Sequence, residues 1–154
     1  MKNEAFQACR NNNDQVPNFP DGLFVLVFMD SFYEKKSLRP LDCLWNAREE
    51  FEYLSVPVYI LSPKKNRFQS DDTFYYLYDL SLESFYQFQT IKKKIVFGKE
   101  HEVIYASMFI FDGKKPIYKA QSINNSSLKK LLIFLVKAWS KKVLKKIEKK
   151  FDKD

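Results

Sequence analysis

The chain has 154 residues, 45% of them apolar and 17% aromatic, which suits one domain around one core. Only three glycines occur, Gly22, Gly98 and Gly113, so the Gly-rich phosphate loops are excluded. No apolar run approaches the ~18 residues of a membrane-spanning helix, and the net charge of +7 is confined to residues 129–154, with ten lysines and three acids.

Residues 1–22 begin MKNEAFQACRNNND and are polar. They read as a loosely ordered lead-in and, lacking an apolar stretch, not as a secretory signal. Two cysteines, Cys9 and Cys43, are too few for a disulfide scaffold. The expected location is therefore a reducing cytoplasm, with both present as thiols.

Phe24–Met29 is a continuous apolar run, as a central strand covered on both faces requires. Asp30–Lys36 is a polar loop. Ser37 or a neighbour can cap the helix that follows, and Pro40 is tolerable in a first turn. That helix is expected to reach about Leu54, with Leu41, Leu44, Trp45, Phe51 and Leu54 on one face. Glu49, Glu50 and Glu52 form its wet face. Val56–Leu61 is a second buried strand, and Ser62–Asp72 is a loop carrying Lys64, Lys65 and Arg67.

Thr73–Asp79 is short and aromatic, and Leu82–Ile91 reads as a helix with Leu82 and Phe85 inward. Lys92–Lys94 and Gly98–Glu102 read as solvated connections. Tyr105–Phe111 is a strand, Asp112-Gly113-Lys114 a tight hairpin turn and Pro116–Ala120 the returning strand. Asn124–Ser127 supplies cap residues for a last helix starting near Leu128.

Strands alternating with helices, closed by a hairpin and a helix, describe an α/β sandwich with a mixed sheet. The order within Phe24–Ser62 resembles the core of the thioredoxin-like redoxins, most closely the peroxiredoxins (the alkyl hydroperoxide reductase and thiol-specific antioxidant family). Leu77-Tyr78-Asp79 resembles that family's L-S-D, and Met108–Gly113, MFIFDG, resembles its F-I-I-D-x-x-G hairpin. The resemblance covers roughly residues 23–139. It divides the chain into a lead-in at 1–22, a thioredoxin-like domain at 23–139 and a lysine-rich helical extension at 140–154.

The resemblance implies a peroxide-cleaving cysteine where the loop enters the helix, in the pattern P-x-x-x-T-x-x-C. Laid on this chain without gaps, the pattern falls on Asp30, Glu34 and Ser37. A serine hydroxyl is hardly ionised at neutral pH and cannot cycle through a sulfenic acid. Glu34 would set negative charge beside a peroxide. The family's arginine before the hairpin strand is replaced by Tyr105-Ala106-Ser107, and no C-x-x-C pair is present. The standard peroxidase site is therefore expected to be lost. No cofactor is implied.

Cys43 has two readings: a reactive thiol that forms a mixed disulfide, or a small inert helix residue. The second is favoured. Cys9 is either exposed and oxidisable or able to reach Cys43. His101 lies between Glu100 and Glu102, but consecutive residues of an extended segment point apart, so no metal site is expected.

The tail carries an apolar stripe at Leu128, Leu132, Leu135, Trp139, Val143, Ile147 and Phe151, with lysines around it. It continues about three turns past the expected end of the domain, near 18 Å. It can cover its own domain, bind a protein partner or a second copy, or lie on an acidic surface through Lys137, Lys141, Lys142, Lys145, Lys146 and Lys149. Lacking arginine, it suits a membrane surface better than a nucleic-acid duplex. The expected function is a binding or assembly module on a redoxin fold. The alternatives are a thiol oxidoreductase working through Cys43 and an anionic-surface binder working through the tail.

Overall fold

The computed structural model describes residues 6–30 and 35–152, with backbone alone for 35–38. In chain order the elements are β1 (Arg10–Asn11), β2 (Leu23–Phe28), α1 (Lys35–Asn46), α2 (Arg48–Leu54), β3 (Val58–Ser62) and β4 (Phe74–Tyr78). Then follow α3 (Glu83–Gln87), β5 (Ile91–Val96), β6 (Lys99–Ile104), β7 (Ser107–Asp112), β8 (Lys115–Ala120) and α4 (Asn125–Phe151).

Six strands form one mixed sheet in the order β1-β4-β3-β2-β7-β8. β2 runs parallel to β3 and β3 to β4, while β2–β7, β7–β8 and β1–β4 are antiparallel. β2 is central, as its unbroken apolar run requires. Successive strand residues face opposite sides, so each strand feeds two cores. Val25, Val27, Val58, Ile60, Met108 and Ile110 pack under α1, α2 and α4. Phe24, Leu26, Phe28, Leu61, Phe109 and Phe111 pack on the other face with Phe85 of α3. That second core is a cluster of phenylalanine rings, with Phe28 and Phe85 5.2 Å apart and edge to face.

Several segments depart from the sequence expectation. Residues 6–22 are not loose: Phe6 and Cys9 are fully buried in the aromatic core, and β1 pairs with β4. The expected single helix is two, broken at Ala47. α1 begins early enough that Pro40 stands sixth in it, past the first turn, where its missing N–H leaves one helical bond unmade. α2 ends on Ser55, which takes the left-handed conformation at φ 53° and donates its N–H back to Glu52 O.

The expected helix over 82–91 covers only Glu83–Gln87, and the two solvated connections after it are a β-hairpin. β5 and β6 pair from Ile91–Ile104 to Val96–Lys99, with Phe97 and Gly98 as a two-residue turn at φ 52° and 75°. Both signs are those of the twisted turn that hairpins favour. At the β7–β8 turn, Gly113 has φ 63°, and a Cβ there would lie 3.0 Å from the Asp21 carbonyl oxygen, so glycine is required.

α4 starts three residues earlier than expected, at Asn125, behind a capping box. The Asn124 side chain accepts from Ser127 N at 2.8 Å, and Ser127 Oγ accepts from Asn124 N at 2.9 Å. From there the helix runs unbroken through residue 140 to Phe151. No helix among the described residues is long and apolar enough to cross a membrane.

Candidate functional site

The junction between β2 and α1 is where the resemblance places peroxide chemistry. Asp30 follows the end of β2 and Ser37 lies in the first turn of α1, whereas Glu34 falls outside the described residues. Ser107, the residue beside this strand end, pairs across the sheet with Phe28. Its hydroxyl is buried and finds no hydrogen-bond partner among the described residues. It lines a cavity of about 170 Å³ together with Lys92, Tyr105 and Lys119. Lys92 Nζ sits 4.7 Å from the centre of the Tyr105 ring, a cation–π contact. The cations lining this cavity are two lysines, Lys92 of β5 and Lys119 of β8.

Cys43 lies on α1, six residues past Ser37. At about 100° per residue that separation turns it far from the Ser37 direction. It is half-buried against the α1–α2–α4 core and lines an apolar groove of about 540 Å³ between those helices. The groove's other residues include Ala47 and Glu50 on one wall and Leu132, Ile133 and Val136 on the other.

Cys9 is on the opposite face of the sheet, fully buried in the aromatic core. Its Sγ lies 3.2 Å from Ser84 Oγ, and Ser84 Oγ donates to Asp79 Oδ2 at 2.8 Å. Because the serine proton is committed to the carboxylate, the thiol donates to the serine. Burial, the dominant cause, pushes the Cys9 thiol up to about 12. A thiol held protonated is a poor nucleophile. Cys9 and Cys43 are both free, and the sheet stands between them, so the reading in which Cys9 reaches Cys43 is corrected.

Asp79 is the centre of a buried polar network that the sequence did not reveal, although the L-S-D-like motif marked its position. It accepts from Ser81 N and Oγ at 3.0 and 2.6 Å and from Ser84 N and Oγ at 2.9 and 2.8 Å. These bonds hold the start of α3 against β4.

His101 sits on β6 opposite Lys94. Its flanking acids are engaged elsewhere: Glu100 lies 3.8 Å from Lys93, and Glu102 accepts from Tyr86 at 2.6 Å. No group of three metal-ligating side chains exists among the described residues.

The tail splits at Trp139. Leu128 and Leu135 of the expected stripe are buried, as is Leu131, which the stripe omitted; Leu132 and Trp139 are partly covered. Beyond them Val143 is half-buried, while Ile147 and Phe151 are exposed. Lys142 is no free cation, since its Nζ lies 2.6 Å from Asp112 Oδ1 and ties α4 to the end of β7. Lys137, Lys141, Lys145, Lys146 and Lys149 are exposed.

No protein-family model and no curated protein sequence matches the chain. Solved structures do. The bacterioferritin comigratory protein of Xanthomonas campestris is similar at 16% identity and a TM-score of 0.69, over 85% of this chain and 90% of that one. PrxQ of Xylella fastidiosa is similar at 15% identity and a TM-score of 0.64, over 88% and 91%. Peroxidoxin BcpB from Mycobacterium tuberculosis is similar at 17% identity and a TM-score of 0.61, over 80% and 87%. The chain therefore has the thioredoxin-like fold in its peroxiredoxin form.

Proposed function

We propose that this chain uses a peroxiredoxin fold without peroxidase chemistry, as a binding or assembly module. The observation that carries the reading is where its two thiols lie. Cys9 is buried beneath the aromatic face of the sheet with its thiol raised to about 12, and Cys43 faces the groove between α1, α2 and α4. Neither supports a thiolate at the β2–α1 junction, where the helix start would stabilise one. The junction itself carries Asp30, Glu34 and Ser37 in place of the family's proline, threonine and cysteine.

The Xanthomonas campestris bacterioferritin comigratory protein has alkyl peroxide reduction activity. A thiol-coupled peroxidase assay on this chain, with hydrogen peroxide and an alkyl hydroperoxide, tests whether it shares that activity. Background turnover is expected. Turnover above background would overturn the proposal.

A second reading, a thiol oxidoreductase working through Cys43, is favoured by one observation: the thiol is half-buried and lines an apolar groove of about 540 Å³. Loss of thiol–disulfide exchange in Cys43→Ser would support it.

A further inference from the structure

The last three turns of α4 carry apolar side chains that the domain leaves bare: Leu144, Ile147 and Phe151 are 56%, 47% and 72% exposed. At about 100° per residue they form one stripe with Ile133, Val136 and Ser140, within an arc of about 80°. The stripe runs ~27 Å along the helix. The buried residues of α4, Leu128, Leu131 and Leu135, lie on the opposite side. The helix thus has two apolar faces, and the domain uses one.

The first half of the unused stripe already belongs to a built surface. Val136 lines two adjoining apolar grooves, of about 540 and 410 Å³, whose far wall is α1 and α2. Glu49, Glu50 and Tyr53 stand on that wall, with Tyr53 83% exposed.

We propose that a second copy of this chain fills these grooves with residues 140–151 of its own α4, giving a two-fold dimer of antiparallel helices. From Ile133 to Ile147 the stripe is self-complementary about Ser140, and Phe151 extends beyond it over Lys129 of the other copy. Ile133 of each copy meets Ile147 of the other, Val136 meets Leu144, and the two Ser140 residues meet at the axis, where small side chains allow close approach. A two-fold interface demands this kind of self-matching patch.

Charge fits the same arrangement. A two-fold axis across antiparallel helices keeps the same side of each helix on the same side of the pair. The side of α4 next to α2 continues into the tail as Lys146 and Lys150, which then lie over the other copy's Glu49 and Glu50. A parallel pairing would set tail lysines against tail lysines. An anionic bilayer is the poorer occupant, because a flat surface does not enter a groove and Glu49 and Glu50 on its rim repel acidic headgroups. The inference deepens the binding-module reading and rests on it.

The test is the oligomeric state of the full chain by sedimentation across micromolar concentrations. A dimer is expected. Ile147→Glu changes an exposed residue and should leave the circular dichroism intact, yet weaken the dimer more than about tenfold by burying an unpaired carboxylate. Reversing Glu49 and Glu50 to lysine should also weaken it, and adding Lys146→Glu with Lys150→Glu should restore it. In a Cys43→Ser background, Ser140→Cys should oxidise to a covalent dimer, whereas Lys141→Cys, off the stripe, should not. A monomer at every concentration, or a dimer indifferent to Ile147→Glu, would overturn the proposal. So would a monomer that co-sediments with phosphatidylserine vesicles through its tail. Peroxidase turnover by an intact dimer would sink the proposed function and spare this interface; an inactive monomer would do the reverse.

Discussion

Cys9 and Cys43 pack against opposite faces of the six-stranded sheet, one among phenylalanine rings with its Sγ 3.2 Å from Ser84 Oγ, the other half-buried in the helical layer. Their separation by β-structure fixes their chemistry. In the native protein a thiol dye should label Cys43 and spare Cys9, and denaturant should release the second label. Mass spectrometry after dye pulses reads the two sites apart. Equal labelling of both in the native state would contradict the buried assignment of Cys9.

The same burial gives a pH dependence. The Cys9 thiol rises from its ordinary 9.0 to about 12 in the fold, so the folded state prefers the proton more strongly than the unfolded state does. Its contribution is complete below about pH 9 and lost as pH climbs towards 12. Tyr59, also raised to about 12 by burial, loses its contribution in the upper part of that range. Denaturant titrations should show stability falling through this window, and Cys9→Ala should fall less steeply while costing about 1–2 kcal/mol at neutral pH. An unchanged alkaline slope in Cys9→Ala would remove Cys9 from the account.

Asp79 accepts from two backbone and hydroxyl pairs in a fully buried site. Asp79→Ala strands those donors and should destabilise the domain by about 3 kcal/mol or more. Asp79→Asn keeps acceptor oxygen and should cost less. Urea midpoints at constant slope measure both.

Phe97 is wholly exposed, at 101%, and held at φ 52° in the β5–β6 turn. A bulky side chain in that conformation is strained, whereas asparagine adopts it readily. Phe97→Asn should therefore raise stability by about 0.5–1 kcal/mol. A loss of stability would mean the ring makes contacts that its exposure denies.

The central strands were legible because Phe24–Met29 and Val56–Leu61 are unbroken apolar runs, which only a sheet covered on both faces can hide. The β7–β8 turn was legible from Asp112-Gly113, and the cap of α4 from Asn124 and Ser127, although the helix begins at Asn125 and not near Leu128. The β5–β6 hairpin was not, because Lys92–Val96 and Lys99–Glu102 are exposed throughout and carry no inward-outward alternation. Its one local signal was Gly98. The lead-in was misread because Phe6 and Cys9 are isolated apolar residues in a polar stretch. Their burial comes from partners far along the chain: Phe6 stacks 5.1 Å from Phe88 and lies 5.7 Å edge-on from Phe111. At the candidate site, the sequence named the replaced motif positions, but not the groove beside Cys43. That groove exists only where α1, α2 and α4 meet.

Restoring one residue should not restore the chemistry. Ser37→Cys returns a thiol to the motif position but leaves Glu34 at the motif's threonine position and no arginine at Tyr105-Ala106-Ser107. Peroxide turnover of this variant should stay at background. Robust turnover would show that the loss rests on the serine alone.

The most direct test of the central claim is the thiol-coupled peroxidase assay on the wild-type chain and on Cys43→Ser. Background rates are expected for both, with the fold intact. Turnover in the wild type that disappears in Cys43→Ser would contradict that claim and place the chemistry in the groove between α1, α2 and α4.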